Sequence, residues 1–580
     1  HETFPRGELF CSDEDTLLAI TKDIFRMRER RQVRLFVMID NVFGFVSCLV
    51  YVPRNWYHTA LRKKLQGILS DALGSTDVNM TTYISESVLA RVHFMFRIEP
   101  GHRPDINQYL LEQEVASASR SWEERLRDTL VEEMGEEHAC REIDEFLQSF
   151  PPGYQYEVEP RVAVSDIQQM RSLSVPNALA MSFSRSQADA ADAFRFRLIR
   201  AGDPLILSDV IPILENFGLR VVGERSHEIR PHSGQVFSLQ EFALHYGLSE
   251  NFRLEDITEY FKEAFERIWC GDSENDSFNR LLIGAQLNWR QVAVMRAYAR
   301  YMKQLAFPYS ESFVAETLCK HLEITRSILR YFEARFEPDI GGQETSREAS
   351  EAEIRQDVMQ RLDAVQSLNE DGVIRHFLTL IDATLRTSYY QLDADGCAKA
   401  HISFKINTVA IEDAPRPRPE FEIFVYSPRV EGVHLRGGMV ARGGLRWSDR
   451  YEDFRTEVLG LVKAQQVKNA IIVPVGAKGG FICKRLPSLL GREERQREGL
   501  ECYQTFIRGL LDITDNLVAG AVVPPQRVVR KDGDDPYLVV AADKGTATFS
   551  DTANAVAAEY DFWLGDAFAS GGQFGYDHKK

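Results

Sequence analysis

No stretch of this chain approaches the ~20 consecutive apolar residues that a helix needs to cross a bilayer. Its eight cysteines (Cys11, Cys48, Cys140, Cys270, Cys319, Cys397, Cys483 and Cys502) are scattered, with no CxxC and no Cys/His pair at zinc spacing. Among the 13 histidines there is no HxxxH or HExxH cluster, so no metal is expected. Neither a disulfide miniprotein nor a zinc module fits, and buried, reduced thiols in a cytoplasmic protein are the expectation. Positive charge is in deficit: 69 Lys and Arg against 86 Asp and Glu leave a net −17. That excludes a general nucleic-acid coat and adsorption to anionic lipid. With 37 Gly and 22 Pro among 580 residues, the chain is neither collagenous nor low-complexity. No GxGxxG follows a strand anywhere, and no signal-peptide pattern opens the chain. Because it starts at His1 and stops on Asp577-His578-Lys579-Lys580, we read it as an internal segment of something longer.

What is present is an ordinary globular balance, 44% hydrophobic and 11% aromatic, over a length that suggests about four domains. Helical spacing runs from Asp13 to Arg31, strands from Arg34 to Asp40 and Phe45 to Val52, a helix from Pro53 to Leu73, and strands from Asp77 to Ile84 and Val88 to Ile98. This order predicts a ferredoxin-like sandwich with its helices on one sheet face. A charged helical stretch at 112–150 leads to a second α+β unit: strand Phe194–Ile199, helix Leu207–Phe217, strand Leu219–Glu224 and a strand near Gln235–Leu239. From Glu255 to Ser388 the pattern is almost wholly helical, which reads as a spacer or oligomerisation element.

Beyond Cys397 the chemistry gathers. Residues 436–485 carry ten basic and four acidic side chains, a local +6 within a chain of −17. Such an island focuses small anions; on charge alone, a solvated face or an internal ion-pair network is the better account. The glycines tilt the balance. Gly437-Gly438 and Gly443-Gly444 flank Arg442, and Gly476-Ala477-Lys478-Gly479-Gly480 surrounds a lysine, a texture that suits glycine turns opening backbone amides beside a cation. It is not a P-loop, because no hydroxyl follows Lys478. Glu452–Ala470 reads as a helix with Gln465 and Lys468 on one face, and Asn469–Val475 as a strand that puts Lys478 on the loop beyond it. The apolar run Val539–Ala542 ends in Asp543, the place where α/β sites put carboxylates, although by itself a turn-starting Asp is the better account.

Taken together, Arg442-Gly443-Gly444-Leu445-Arg446, Gln465-Gln466-Val467-Lys468, Val473-Pro474-Val475-Gly476-Ala477-Lys478-Gly479-Gly480 and Ala542-Asp543 resemble the active-site elements of amino-acid dehydrogenases. The longer string through Trp447-Ser448-Asp449-Arg450 and Asp453-Phe454-Arg455-Thr456-Glu457 is similar to the large, multidomain NAD-specific glutamate dehydrogenases of bacteria. The resemblance is strong over roughly 430–580 and rests on layout before that.

It implies a multidomain α+β and α/β chain: an ACT-like unit over 1–110, a helical linker over 111–155, a second ACT-like unit over 156–252, a helical domain over 253–390 and a substrate-binding α/β domain over 391–580. It implies oxidative deamination of L-glutamate to 2-oxoglutarate and ammonia with hydride transfer to NAD. Lys478 is then the catalytic lysine that activates water, and Asp543 the proton carrier. Lys468 and Gln465 hold the α-carboxylate, and Arg442 stands where smaller family members place a lysine on the side-chain carboxylate, with Arg446 a candidate to share that work. The dinucleotide-binding domain is expected downstream, which leaves this chain inactive by itself. The implied partners are glutamate, 2-oxoglutarate, an allosteric amino acid and further copies of the chain, with no nucleic acid and no membrane. Two other readings stay open: a non-enzymatic amino-acid-sensing or oligomerisation module, and a dehydrogenase of another amino acid.

Overall fold

A computed structural model describes residues 14–27, 32–40, 44–54, 56–84, 87–98, 106–173, 178–185, 193–247, 254–339, 344–468, 475–486 and 491–571; the side chains of 254–256, 344–346 and 466–468 lie outside the description. The chain forms two compact units. One comprises His1–Ala180, Ile199–Pro204 and Ser226–Leu239, the other Met181–Leu198, Leu205–Arg225 and Gln240–Lys580. No helix among the described residues is long and apolar enough to cross a membrane.

In the first unit, strands β1 (Arg34–Asp40), β2 (Phe45–Pro53), β3 (Val78–Ile84) and β4 (Leu89–Arg97) pair antiparallel in the order β1-β2-β4-β3. This is the ferredoxin-like order with the edge strand supplied from the chain's start rather than its end. The helix Thr59–Leu73 buries Leu61, Leu65, Leu69 and Leu73, one per turn, against this sheet. His58 caps its first turn, accepting the Leu61 amide at 3.2 Å, and Gly74 closes it at φ 65°. It therefore starts six residues later than the sequence pattern suggests, because Pro53 still pairs with Leu89 as the last residue of β2.

Helices do not all lie on one face. The helix Gln108–Ser119 shares the core of Thr59–Leu73, whereas Glu14–Met27 packs Ile20 and Met27 on Phe36, Met38 and Tyr51 of the opposite face. Periodicity reports that a helix has a buried side, not which side of a sheet receives it. Helices Trp122–Met134, Glu136–Phe146 and Pro160–Ser172 add a second core with Ile199, Ile229, Phe237 and Leu239.

Strands β5 (Leu179–Ser184), β6 (Ala193–Ala201), β7 (Arg220–Ile229) and β8 (Phe237–His245) form a second four-stranded sheet, ordered β5-β6-β8-β7, with the interleaving of the first. β5 was not apparent in the sequence. In the second unit Phe183, Phe196, Phe217, Phe261 and Phe265 form an aromatic cluster that seats the helix Leu254–Trp269.

The helical run that follows divides at His321 into Glu311–Lys320 and Leu322–Phe336. It packs on the largest sheet, which comprises β9 (Thr384–Thr387), β10 (Ile402–Ile406), β11 (Phe421–Tyr426), β12 (Val430–Arg436), β13 (Ala441–Trp447), β14 (Val475–Cys483), β17 (Val539–Ala542) and β18 (Ala569–Ser570); β15 (Asn516–Val518) and β16 (Ala521–Val523) form a separate hairpin. Tyr298 and Tyr301 of the helix Trp289–Gln304 lie on Phe404 and Phe424, at centroid distances of 4.8 and 5.2 Å.

The large sheet runs β18-β17-β13-β14-β12-β11-β10-β9. Its β9-to-β12 half and the β12–β14 pair are antiparallel, while β14, β13, β17 and β18 run parallel. The helix Arg492–Leu511 covers one face, and glycines let it close down: a Cβ at Gly499 would lie 2.3 Å from Trp447, and one at Gly432 2.5 Å from Phe506. The helix Phe454–Lys468 covers the other face, where Cβ atoms at Gly476 and Gly480 would lie 2.7 Å from Gln465 and Val458.

The thiols are not uniformly buried. Cys48, Cys483 and Cys502 are buried and Cys140, Cys270 and Cys397 are exposed. A small exposed thiol costs little in a surface helix or loop, so burial does not follow from residue type alone.

Candidate active site

The segment 476–480 is not a glycine turn. It lies within β14, so Lys478 is a strand residue rather than one on a following loop. Residues 469–474, read as a strand from the sequence, lie outside the described residues. Gly443 and Gly444 belong to β13, and none of Gly437, Gly438, Gly443, Gly444, Gly476, Gly479 and Gly480 has positive φ. The expected cradle of left-handed turns is therefore absent there. These glycines serve close approach instead, which periodicity cannot distinguish from loop flexibility.

The key approach is at Gly444. β13 lies between β14 and β17, and its register sets Arg442 beside Gly476 and Leu445 beside Gly479 on one side, and Leu445 beside Ala542 on the other. Lys478 on β14 and Asp543, just past β17, are thus separated only by Gly444. Having no side chain, Gly444 lets them meet across the strand: Lys478 Nζ is 3.1 Å from Asp543 Oδ2. A Cβ on Gly444 would lie 3.1 Å from Asp543 Cβ and 3.3 Å from that same Oδ2.

Asp543 is fixed from several directions. Its Oδ1 accepts the Lys544 amide at 2.7 Å and Arg446 Nη2 at 3.2 Å. Its own amide donates to Thr546 Oγ1 at 3.0 Å, and the Thr546 hydroxyl donates to the Leu445 carbonyl at 2.7 Å. Gly545, at φ 85°, turns the chain directly under Trp447. Burial opposes ionisation of Asp543, but the Lys544 amide, Lys478 and Arg446 more than offset it and hold the carboxyl below its usual range. The loop before β17 is anchored by a buried ladder in which Arg386 pairs with Asp515 at 2.9 Å, Lys405 with Asp535 at 2.7 Å and Arg436 with Asp535 at 2.6 Å.

Most of the basic island turns out to be an internal ion-pair network. Arg455 and Glu422 are both fully buried and 2.8 Å apart. Lys484 contacts Glu274 and Glu431 at 2.7 Å each, and Arg450 pairs with Asp453. The carboxylates that neutralise the island are supplied largely from distant segments, so a local charge count could not show them.

Arg442 differs. It is exposed on β13, and its side chain makes no hydrogen bond or ion pair among the described residues. Gln465 lies across Gly476; its Nε2 reaches the Arg442 carbonyl at 3.4 Å, while its Oε1 is buried without a partner among the described residues. Lys468 ends its helix, and its side chain lies outside the description. The structure therefore brings Lys478 and Asp543 together, sets Gln465 and Arg442 beside one another and leaves Lys468 undecided. His434, paired with Gly479 in register, is buried, and burial together with the nearby Arg436 pushes its pKa down to about 3. Cross-strand partners share a face, so His434 lies on the side of the sheet away from Lys478.

Sequence reasoning missed Glu457 and Ser448. Glu457 accepts Arg446 Nη1 at 2.8 Å and the Ser448 hydroxyl at 2.6 Å. A signal existed: Glu457 precedes Gln465 on the same helix by eight residues, two successive i,i+4 steps, whereas the reading of Gln465 used its three-residue spacing to Lys468.

Six family models match the chain. The model described as bacterial NAD-glutamate dehydrogenase, catalytic domain, matches residues 357–580. Glutamate dehydrogenase ACT2 and ACT3 domain models match 34–123 and 178–257, and helical motifs 1, 2 and 3 match 1–30, 129–173 and 273–338. Among curated relatives, the NAD-specific glutamate dehydrogenase of Pseudomonas aeruginosa is 51% identical and that of Halomonas elongata 50% identical; both align with 100% of this chain, which covers 36% of each. The Mycobacterium tuberculosis protein of the same name is 42% identical over 100% of the chain, which covers 37% of it. The chain thus spans little more than a third of the length of these relatives. With helical motifs and ACT domains alternating ahead of the catalytic domain, the chain belongs to the bacterial NAD-specific glutamate dehydrogenase family.

Proposed function

We propose that this chain supplies the glutamate-binding part of the active site of an NAD-dependent glutamate dehydrogenase, together with regulatory ACT and helical domains. The observation that carries the reading is the 3.1 Å contact of Lys478, within β14, with Asp543 across Gly444, Asp543 lying just past the carboxyl end of the parallel strand β17. NAD, when bound, would supply the acceptor for the hydride from the substrate's Cα. The sequence holds no GxGxxG, so no residue of this chain is assigned to hold NAD.

The remaining work falls to side chains that are present. Arg442, exposed and with no side-chain partner among the described residues, binds the side-chain carboxylate, a task suited to a planar, bidentate cation. It lies one strand over from Lys478 and two residues back, which is about 7 Å along a strand and comparable to the span of glutamate. Gln465 and Lys468 hold the α-carboxylate end. Lys478 takes a proton from the water that adds to the iminium carbon, and Asp543 carries a proton to the substrate nitrogen so that it leaves as ammonia. The same reading includes an amino-acid effector at the ACT domains, self-assembly and a cytoplasmic location.

The test is steady-state kinetics of the intact gene product with glutamate, aspartate and leucine, each with NAD and with NADP. Glutamate with NAD is expected to exceed every other pair in kcat/KM by about tenfold or more, since a site built for a charged group rejects analogues that lack or misplace it. Turnover favouring leucine would replace the substrate assignment, and no turnover with any pair would support a sensing module.

A further inference from the structure

Two arginines flank Gly443-Gly444, and the structure gives them different surroundings. Arg442 has no described partner. Arg446 is spent: Nη1 lies 2.8 Å from Glu457 Oε1 and Nη2 3.2 Å from Asp543 Oδ1. Glu457 is itself held by the Ser448 hydroxyl at 2.6 Å, on the helix Phe454–Lys468. Charges alternate along the row Glu457, Arg446, Asp543, Lys478, and each side chain is about four-fifths buried. Arg446 cannot turn to a substrate carboxylate without leaving both Glu457 and Asp543 half-satisfied in a partly desolvated site.

Its grip also defines which carboxylate oxygen is free. Arg446 and the Lys544 amide both occupy Oδ1 of Asp543, so Oδ2 is the one left to face Lys478. A carboxylate on a turn otherwise rotates freely about its terminal torsion. We propose that Arg446, braced by Glu457 and Ser448, is a positioning residue that fixes the rotation of Asp543 toward Lys478 and has no part in holding the substrate. The inference rests on the reading of Lys478 and Asp543 as the catalytic pair.

The experiment uses the intact gene product carrying Arg446→Ala, Arg446→Lys, Glu457→Gln, Asp543→Asn and the double change Arg446→Ala/Asp543→Asn. Misplacing a catalytic group by about an ångström costs on the order of 100-fold. Arg446→Ala is therefore expected to lower kcat by about 30- to 100-fold, with KM for glutamate within about threefold of the parent. Added guanidinium should restore part of the lost kcat to the alanine variant, and Arg446→Lys should retain more kcat than Arg446→Ala. Glu457→Gln should lower kcat by a smaller factor with KM again unmoved. The double variant should be no slower than Asp543→Asn alone, because Arg446 acts only through Asp543.

A rise in KM above about tenfold with kcat kept would make Arg446 a substrate ligand and overturn the proposal. So would a loss of kcat that guanidinium does not restore, accompanied by a lowered melting temperature, which marks a purely structural role. Normal turnover by Asp543→Asn would remove the catalytic reading itself. Loss in Asp543→Asn with normal turnover in Arg446→Ala would remove only the positioning role.

Discussion

Replacing Lys478 with Ala, or Asp543 with Asn, lowers glutamate turnover of the intact gene product by about two orders of magnitude or more, while the fold persists. The separation of activity from stability follows from how the pair is held. Without Lys478, Asp543 keeps the Lys544 amide and Arg446. With Asp543 made neutral, Arg446 keeps Glu457. Arg446 and Asp543 each keep a partner, and Lys478, left without the Asp543 charge, is still about one-fifth exposed to water, so neither change creates the fully buried, uncompensated charge that makes ion-pair removal strongly destabilising. A partly exposed pair of this kind contributes about 0–1 kcal/mol to stability. The proton transfers assigned to Lys478 and Asp543, by contrast, have no substitute nearby among the described residues: His434 lies on the other side of the sheet, and Glu457 is occupied by Arg446 and Ser448. Thermal melts matched to parent, with turnover reduced, are the expected pair of measurements. Near-normal turnover in either purified variant would show that the contact across Gly444 is an ordinary ion pair.

The second large effect is on folding. A Cβ at Gly443 would sit 1.4 Å from the Ala477 carbonyl oxygen and 2.5 Å from its carbon, both backbone atoms of the neighbouring strand. No side-chain rotation relieves that overlap. β13 and β14 must part, and with them the register that aligns Arg442, Lys478 and Asp543. Gly443→Ala is therefore expected to destabilise by about 4 kcal/mol or more, the range reserved for backbone or core disruption. In practice the variant should fail to accumulate as folded protein. Gly460→Ala is the control. It lies in the helix Phe454–Lys468 with nothing within 4 Å of its would-be Cβ, so alanine should stabilise by up to about 1 kcal/mol. Equal melting temperatures for the two variants would contradict the assignment of these glycines to close packing.

These glycines also mark where sequence reasoning stopped. The ferredoxin-like units were legible because alternation and 3.6-residue spacing encode which side of an element is buried. The side of the sheet taken by Glu14–Met27 was not legible, since both faces offer apolar strand residues. A run such as Gly476-Ala477-Lys478-Gly479-Gly480 has the composition of a loop, and only the helix resting on it shows that it is a strand stripped of side chains. The basic island failed for a related reason. Arg436, Arg455 and Lys484 look free in sequence, yet Asp535, Glu422 and Glu274 reach them from remote positions. Asp543 was placed correctly at the end of an apolar strand, and its meeting with Lys478 depends on a glycine between them that no spacing rule reveals.

The account centres on a face that recognises a dicarboxylate amino acid, with Arg442 on the side-chain carboxylate. The most direct test compares L-glutamate with L-norvaline, which keeps the amino-acid end and replaces the side-chain carboxylate with a methyl group, in the parent protein and in Arg442→Met. Hydrogen bonds to a charged group contribute about 1.5–3 kcal/mol, so the preference for glutamate in kcat/KM should fall by about 10- to 100-fold in the variant, with norvaline turnover unchanged or improved. An undiminished preference for glutamate in Arg442→Met would contradict the account.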